Sequence, residues 1–335
     1  MIASGASAQT RRKVIINQDC SGPGGSNMQT LATLIQSPQV EVLGVTIVTG
    51  NQWRDEEVVH ALRLLEVLGR TDIPVVPGAV FPLVRTREEA QLWQERYGKA
   101  GYAGAWDSRW YHEPFVVPPP KEGPPTTKAS TEDAAHFLIR MVHKYPHEVT
   151  IYEGGPMTNL ALALRIDPQF AELAQELVFM GGSLNPATDN PEFVNTPRHE
   201  FNFWMDPEAA DAVLHANWRK ITCTPVDISI RTRLTQAMVD EIAKAGTPLA
   251  QYVSKYYMHG PGADFMWTSW QLRRGSIPRS SPSAMSATWR WIRTTAPPTA
   301  TRLRGWKATS PNGSCNAWKS MSIWISKNFT RCSSA

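Results

Sequence analysis

The stretch KVIINQDCSGPGGSNMQTLATLIQ, residues 13–36, decides the fold. It begins with a strand-like run, KVII (13–16), passes through a lone acid, Asp19, and four small residues, and continues as the helix-like run MQTLATLIQ (28–36). A strand, a glycine-rich turn and a helix in this order are typical of a βαβ unit, in which the next strand lies parallel to the first. The stretch therefore predicts a parallel sheet whose first strand ends near Asp19.

Apolar runs alternate with helix-like segments along the rest of the first 267 residues. The helix-like run 55–69 places Val58, Leu62, Leu65 and Leu68 on one face. This alternation predicts an α/β fold with a mostly parallel central sheet, helices on both of its faces and an active site at the carboxyl ends of the strands. The further strands are expected at 40–48, 73–76, 149–154, 176–182 and 219–228.

Three other segments carry local signals. Residues 130–145 form a helix-like run that opens with Ser130 and Asp133, close to a capping box. Asp206 followed by Pro207 is typical of an N-cap and a first helical position. Residues 81–129 are rich in Pro, Gly, Trp and Tyr and show no clear period. We expect them to form a long excursion over the carboxyl end of the sheet.

Composition limits the class of protein. The chain has 335 residues, of which 42% are hydrophobic and 19% charged, as in soluble globular proteins. No apolar run reaches membrane-spanning length, and four cysteines without metal-type spacing argue against a zinc site or a disulfide scaffold. Residues 1–12 are either the remnant of an export signal or a plain tail. The first alternative predicts a periplasmic or secreted protein, and the second a cytoplasmic one.

Charge is distributed unevenly. Residues 268–335 contain 11 Lys and Arg, no Asp or Glu, and six of the 13 Trp. Since the whole chain has 34 basic and 30 acidic residues, residues 1–267 hold 23 basic and all 30 acidic ones, a net charge of −7. A basic tail dotted with Trp is one way to bind nucleic acid through phosphates and stacked bases.

A shifted reading frame accounts for this tail better. TSWQL (268–272) can be encoded so that one restored G gives DELAA, and the same frame continues as a plausible helix and turn. KSMSIWISKNFTRCSS (319–334) becomes VNVDLDLEKFYQMFV in that frame, with its acids recovered. We therefore expect a tail at 1–12, one domain at 13–267 and an aberrant, poorly ordered segment at 268–335, with no nucleic-acid or membrane partner. Sequencing the gene across this junction tests the hypothesis, and an unbroken frame shared with close relatives would contradict it.

Polar residues follow the predicted strands. Asp19 follows the first, Thr49 to Asn51 the second, and Gly154 to Asn159 a later one. HEFNFWMDPEAA (199–210) puts Glu200 and Asn202 two residues apart on a short segment expected to be extended. These oxygen and amide groups suit a neutral polyhydroxylated ligand and a hard cation such as Ca²⁺. They suit phosphate poorly, because no Lys or Arg accompanies the glycines and no P-loop follows them.

Five segments, in order, resemble the inosine/uridine-preferring nucleoside hydrolase family over residues 13–267. KVIINQDCSGPGGSN stands where that family has a strand and a DxDPGxDD-type motif. VTIVTGNQ, EGGPMTNLALAL, ELVFMGG and HEFNFWMDPEAA are similar to its VTTVAGN, GPLTNLALAL, IVxMGG and AEFNxxxDPEAA segments. The resemblance implies Ca²⁺-assisted hydrolysis of the N-glycosidic bond of a ribonucleoside, and a homodimer or homotetramer if the native C-terminus is present.

The resemblance also implies roles for individual residues. Asp19 matches a metal ligand that acts as the base, and Thr158 matches a ligand through its backbone carbonyl. Asn51, Glu200 and Asn202 match binders of ribose hydroxyls, and Met180 matches a residue lining the ribose pocket. Asn195 stands within one position of another sugar-binding Asn. Thr158 also has a simpler interpretation as a helix N-cap.

The chain departs from the family motif at several positions. Asn17 stands where the family has its first Asp, and the loop after Asp19 is about three residues longer. Ser26 and Asn27 occupy the place of the paired Asp, so Ser26 is expected to bind a ribose hydroxyl and Asn27 the metal. Thr268 stands where the shifted frame would place the last metal-ligand Asp. A more neutral ligand set weakens Ca²⁺ binding. The alternative function is therefore a non-catalytic nucleoside- or sugar-binding protein.

Overall fold

A computed structural model describes residues 11–184, 200–231, 233–257 and 265–266. All of them belong to one compact unit, Met1–Trp291. The expectations for residues 1–10, for Asn195 and for the tail 268–335 lie outside the described residues. In the part that is described, six strands form one sheet in which every neighbouring pair is parallel. The predicted α/β class with a parallel sheet is confirmed.

The order of the strands places the site. The strands are β1 (Arg12–Gln18), β2 (Val40–Ile47), β3 (Val75–Pro77), β4 (Val149–Glu153), β5 (Glu176–Met180) and β6 (Ile221–Thr224). Their order across the sheet is β3-β2-β1-β4-β5-β6. The chain builds outward from β1 on one side and then from β4 on the other. Ligands of such sheets bind at this switch point, outside the carboxyl ends of the two central strands.

Helices connect the strands. They are α1 (Ser26–Gln36), α2 (Arg54–Val67), α3 (Arg87–Tyr97), α4 (Ala134–Lys144), α5 (Thr158–Ile166), α6 (Phe170–Leu173), α7 (Phe201–Met205), α8 (Pro207–Leu214), α9 (Val226–Ser229), α10 (Gln236–Ala243) and α11 (Pro248–Tyr256), with a 3₁₀ turn at Gly104–Trp106. No helix within the described ranges is long and apolar enough to cross a membrane.

Both faces of the sheet are covered. Val14 and Ile16 of β1 are fully buried in a cluster with Leu31 of α1 and Leu62 of α2. On the other face, a Cβ on Gly44 of β2 would lie 2.5 Å from the ring of Phe137 in α4, so the helix packs directly on this strand. A strand covered on both faces is apolar where it is buried, which explains the uninterrupted run Val14–Ile16. Burying each such side chain contributes about 1.5–3 kcal/mol.

The local helix signals are confirmed except for the start of α4. Val58, Leu62 and Leu65 of α2 lie in the buried cluster, and Leu68 packs against it. Asp133 caps α4, because its carboxylate accepts hydrogen bonds from the N–H groups of Ala135 and His136. The helix begins four residues later than its predicted start at Ser130, whose hydroxyl instead accepts the N–H of Glu132 in the preceding turn. Asp206 caps α8 as predicted, and Pro207 is its first residue.

One predicted strand needs correction. The strand expected over 219–228 ends at Thr224, and Val226 begins α9. Pro225 separates the two elements, because a proline has no N–H to continue the ladder. The excursion 81–129, for which no element was predicted, contains α3 and the 3₁₀ turn. Only Ala90 of α3 is buried, so this helix has no apolar period to detect.

Candidate active site

Asp19 lies immediately beyond β1, at the switch point of the sheet. Its side chain is 1% exposed. A Cβ on Gly50 would lie 2.3 Å from Asp19 Oδ2, and one on Gly155 would lie 3.1 Å from Asp19 Cβ. The carboxylate therefore occupies a slot between two backbones, one following β2 and the other following β4. Only glycine at position 50 leaves room for it.

Two of the predicted site residues hold Asp19. Asn27 Nδ2 donates to Asp19 Oδ1 at 2.5 Å, and the backbone N–H of Asn51 donates to Oδ2 at 3.2 Å. The backbone carbonyl of Asp19 accepts from the side-chain amides of Asn51, at 2.8 Å, and Asn27, at 2.9 Å. The segments after β1 and β2 and the first turn of α1 thus meet at one carboxylate.

Negative charge accumulates around Asp19. Burial raises the pKa of its carboxyl well above the usual value, and the charge of Glu200 raises it further, against the hydrogen bonds from Asn51 and Asn27. Burial and then the charge of Asp19 raise the pKa of Glu57 in the same way. Burial also raises the pKa of Glu153. The structure gives none of Asp19, Glu57 and Glu153 an ion pair with a described Lys or Arg. A cation would relieve this charge.

The longer loop after Asp19 folds as a compact turn. The N–H of Gly25 donates to the carbonyl of Gly22 at 3.2 Å, and Gly22 has a φ of 84°, which suits glycine. A Cβ on Gly25 would lie 2.3 Å from Ser21 Oγ, so the turn closes tightly on itself. Ser26 and Asn27 then form the buried start of α1, and Ser26 Oγ donates to Asn27 Oδ1 at 3.3 Å. The extra residues therefore leave Asn27 against Asp19.

Thr158 is the first residue of α5, at the end of the turn that follows β4. Met157, not Thr158, occupies the N-cap position, so the alternative interpretation of Thr158 as an N-cap is wrong. The Thr158 hydroxyl donates to Asp206 Oδ2 at 2.6 Å. The same carboxylate oxygen accepts the N–H of Leu83 at 2.9 Å. Asp206 thereby ties α5 and the start of the excursion to α8.

Glu200 and Asn202 do not lie on an extended segment. Glu200 is the N-cap of α7, a single helical turn, and its carboxylate accepts the N–H groups of Asn202 and Phe203 at 2.9 and 3.0 Å. Glu200 Oε2 also accepts the N–H of Gly182 at 3.0 Å. The carboxylate satisfies three backbone donors at once, and this favours the helical turn over the expected strand.

Asn202 connects the ends of two strands. Its Nδ2 donates to the carbonyl of Met180, at the end of β5, at 3.1 Å and to the carbonyl of Gly154 at 3.5 Å. Asn202, Met180 and Glu200 are all buried. The structure therefore brings Glu200, Asn202 and Met180 of the predicted ribose-binding set together.

Glu153 and Tyr102 lie at the site but were not predicted from the sequence. Glu153 ends β4 directly before the glycine pair, and its Oε2 accepts Asn17 Nδ2 at 2.7 Å. The signal that could have identified Glu153 is an acid at the end of a strand that is otherwise buried. Tyr102 donates its hydroxyl to Asn51 Oδ1 at 2.7 Å from the excursion. Without a period or motif around Tyr102, the sequence held no signal for it.

The residues expected to hold a metal match a hard cation in the type of their oxygen atoms but carry little charge. The Asp19 carboxylate, the Thr158 carbonyl and the Asn27 amide are oxygen donors of the kind that Ca²⁺ takes. In the described residues no group of three or more His, Cys, Asp or Glu is arranged to hold a metal. Asn27 also presents its NH₂ group, not its oxygen, to Asp19. Asp19 is therefore the one carboxylate among the residues expected to hold Ca²⁺.

Comparisons with known proteins identify the family of this chain. The model of the inosine-uridine preferring nucleoside hydrolase family matches residues 14–273. Probable uridine nucleosidase 2 of Arabidopsis thaliana is 32% identical over 267 residues, which cover 78% of this chain and 73% of that protein. The pyrimidine-specific ribonucleoside hydrolase RihA of Photobacterium profundum is 31% identical over 244 residues, covering 73% of this chain and 70% of its own length.

Among solved structures, a plant nucleoside hydrolase aligns with a TM-score of 0.57 at 26% identity, covering 78% of this chain and 77% of its own. A purine-preferring ribonucleoside hydrolase from Gardnerella vaginalis, at 22% identity and a TM-score of 0.56 with 78% of each chain covered, shares the fold. The family match spans most of the domain, from β1 to beyond the described part of the chain. This chain therefore belongs to the inosine-uridine preferring nucleoside hydrolases, a family of hydrolases that act on N-glycosyl compounds.

Proposed function

We propose that the chain hydrolyses the N-glycosidic bond of ribonucleosides to ribose and free base, with Asp19 as the general base. One observation carries this proposal: a buried carboxylate is fixed between Gly50 and Gly155 at the switch point of the sheet. Burial raises the pKa of Asp19, and this makes its ionised form a stronger base towards an attacking water.

The residues proposed to hold Ca²⁺ are Asp19, Thr158 through its carbonyl, and Asn27 through its amide oxygen. When bound, the ion would supply a lowered water pKa and a fixed point for ribose hydroxyls. Asn27 must rotate its amide to offer oxygen, because the NH₂ group now faces Asp19. The charge that accumulates around Asp19 supports a cation there, and the Asn in place of an acid predicts weaker binding than a second carboxylate would give.

The remaining site residues are proposed to bind the sugar. Asn51 Nδ2 donates one bond, to the Asp19 carbonyl, and an amide nitrogen donates two, so its second N–H suits a ribose hydroxyl. Glu200 and Asn202 are proposed as binders of ribose hydroxyls from their match to the family motif and their buried place at the carboxyl end of the sheet. Ser26 and Asn195 are proposed to add further hydroxyl contacts, and Met180 is proposed to line the ribose pocket.

Uridine is the first substrate to test, because two of the relatives are named for uridine or pyrimidine ribonucleosides. Ribose release from uridine, cytidine and inosine would be measured with Ca²⁺ and with a chelator. The measurement would compare this chain with the protein encoded when one G is restored before the codon of residue 268. Asp19→Asn should lower ribose release by about 100-fold or more, as for other general bases. Asp72→Asn, which changes an exposed acid paired with Arg70, is the matched control.

The outcomes separate the two candidate functions. Ribose release that depends on Asp19 supports the hydrolase. A folded protein that binds uridine saturably but releases no ribose in either version supports a non-catalytic nucleoside- or sugar-binding protein. The Asn27 amide, which donates to Asp19 where the family motif has an acid, is the observation that favours this second candidate. The homodimer or homotetramer remains a prediction that a mass measurement in solution would test.

A further inference from the structure

Glu153 is a fully buried acid at the end of β4. Its Cα is the register partner of Asn17 in β1. Glu153 Oε2 accepts Asn17 Nδ2 at 2.7 Å, and Oε1 accepts the backbone N–H of Gly155 at 2.9 Å. Taking a carboxylate out of water is costly unless it is well hydrogen-bonded. A buried acid at this place therefore calls for a reason beyond packing.

The backbone N–H of Ala79 sets the orientation of the side-chain amides in this network. The N–H of Ala79 can only donate, and it donates to Asn159 Oδ1 at 2.8 Å. Asn159 must then turn its Nδ2 to Asn17 Oδ1, at 2.8 Å. Thr46 Oγ1 donates to the same oxygen at 2.7 Å. Asn17 is thus left to present its NH₂ group to Glu153, which accepts on both oxygens, as an ionised carboxylate does.

The network lies directly beneath Asp19. Gly154 donates its N–H to the carbonyl of Asn17 at 2.9 Å. A Cβ on Gly154 would lie 2.4 Å from Gln18 Nε2, and one on Gly155 would lie 3.1 Å from Asp19 Cβ. The turn after β4 therefore packs tightly against the residues at the end of β1. A shift of Gly155 would change the packing around Asp19.

We propose that Glu153 is a positioning residue of the site. Its carboxylate pairs with the Asn17 amide across two neighbouring strands, at the place where the family motif has an acid on β1. The pair holds the turn that begins at Gly154 against Asp19 and so fixes the general base. Its effect on catalysis rests on the proposed function, whereas the pairing itself does not.

The network predicts which changes are tolerated. Glu153→Gln alone places an NH₂ group against that of Asn17, and Asn17→Asp alone places two carboxylates at hydrogen-bond distance. The exchange Asn17→Asp with Glu153→Gln satisfies every group. The carboxylate introduced at position 17 then accepts from Thr46, Asn159 and the amide introduced at position 153, whose oxygen accepts the N–H of Gly155. The two single changes should therefore be harmful and the double change mild.

Thermal unfolding of the full chain is the first measurement. Each single variant should lower Tm by roughly 5–10 °C, the usual scale for a broken buried polar pair. The double variant should return to within about 2 °C of the unchanged protein. The matched control is Glu176→Gln, since Glu176 is a buried acid of the same sheet that pairs with Lys220 and Arg12 instead. Combined with Asn17→Asp, it should give no recovery.

Several outcomes would decide the matter. If both single variants fail to fold and the double variant folds, the pairing is supported. Additive losses in the double variant, or its failure to fold, would overturn it. For positioning, kcat for uridine should fall about tenfold or more in Glu153→Gln, with little change in KM, and recover in the double variant. A Tm that changes and recovers while kcat stays constant in all variants would reduce Glu153 to a structural residue and contradict the proposal.

The proposed function can fail separately. If the unchanged chain releases no ribose, positioning is measured as the Kd for uridine, which should rise in Glu153→Gln and recover in the double variant. A Kd that stays the same across all variants, with no ribose released by any of them, would contradict the positioning role. Recovery of Tm and Kd without any ribose release would leave the Asn17–Glu153 pair supported and remove the hydrolase.

Discussion

Asn51 holds Asp19 at two points, through its backbone N–H to Asp19 Oδ2 at 3.2 Å and through its side-chain Nδ2 to the Asp19 carbonyl at 2.8 Å. The Asn51 side chain is fixed in turn by Tyr102, whose hydroxyl donates to Oδ1 at 2.7 Å. The excursion thus reaches the proposed general base through one intermediate residue. A residue far along the chain therefore controls the orientation of a proposed ribose-binding amide.

Tyr102→Phe tests whether Tyr102 acts on the site through Asn51. The change removes only the hydroxyl that fixes Asn51 Oδ1, and we expect stability to fall by about 0.5–1.5 kcal/mol, the net value of one hydrogen bond. A freed amide binds ribose less well, so KM for uridine should rise several-fold while kcat changes little. Kinetics with uridine and thermal unfolding would check this, with Tyr97→Phe, an exposed tyrosine of α3, as the control. An unchanged KM would show that Tyr102 does not act through Asn51.

Gly50→Ala should displace the proposed base. Its new Cβ would lie 2.3 Å from Asp19 Oδ2, closer than any real contact, so the carboxylate must move. We expect a loss of about 1–3 kcal/mol in stability, as for other overpacked sites, and a larger fractional loss of kcat. Gly155→Ala, whose Cβ would lie 3.1 Å from Asp19 Cβ, should be milder in both respects. Equal activity in the two variants would argue against a carboxylate confined by Gly50.

The sequence predicted the sheet well because buried strands and their turns carry local signals. The run KVII with Asp19 located the first strand and the proposed base. The Asp-Pro pair at 206–207 located the start of α8. The helix α3 could not be predicted from apolar periodicity, since only Ala90 is buried. Its capping box, Thr86 with Glu89, was the signal available.

The candidate site was harder to predict where long-range contacts decide the local structure. Glu200 and Asn202 were expected on an extended segment, but Gly182 reaches the Glu200 carboxylate from another part of the chain. The contact from Gly182 occurs together with the helical turn of α7. No local sequence pattern predicts this contact. Glu153 was missed for a similar reason, because its partner Asn17 stands 136 positions away in the sequence.

Asn27→Asp should convert the site into a stronger cation binder. The added carboxylate would lie about where Asn27 Nδ2 now contacts Asp19 Oδ1, at 2.5 Å. Without metal, two acids at this distance should lower Tm. Ca²⁺ should raise Tm again and bind more tightly than in the unchanged protein, because ligand charge sets Ca²⁺ affinity. Calorimetric titration with Ca²⁺ and unfolding with a chelator would measure both effects.

The control for that change is Ser26→Asp, which adds the same charge one residue away. A similar gain in Ca²⁺ affinity in both variants would indicate a general charge effect instead of ligation at position 27. No gain in Asn27→Asp would remove Asn27 from the proposed ligand set.

His60 should make stability depend on pH. It is buried in α2 between Glu122, at 2.5 Å from its Nδ1, and Glu56, at 3.8 Å from its Nε2, and Glu56 also bonds His112. Burial lowers the pKa of His60, but the two carboxylates outweigh it and raise the pKa to about 9. Because the folded pKa lies above the unfolded one, the charged ring stabilises the fold fully below about pH 6.5. This contribution is lost as the pH rises through about 9.

The size of this contribution follows from the shift, at most about 3 kcal/mol at 1.36 kcal/mol per unit. His60→Gln should therefore destabilise the protein most near pH 6, and its difference from the unchanged protein should shrink towards pH 10. Denaturant unfolding at several pH values would measure it. His136→Gln, which changes an exposed histidine paired with Asp133, is the control. A His60→Gln difference that stays constant across the range would mean that His60 does not carry the charge that joins α2 to the excursion.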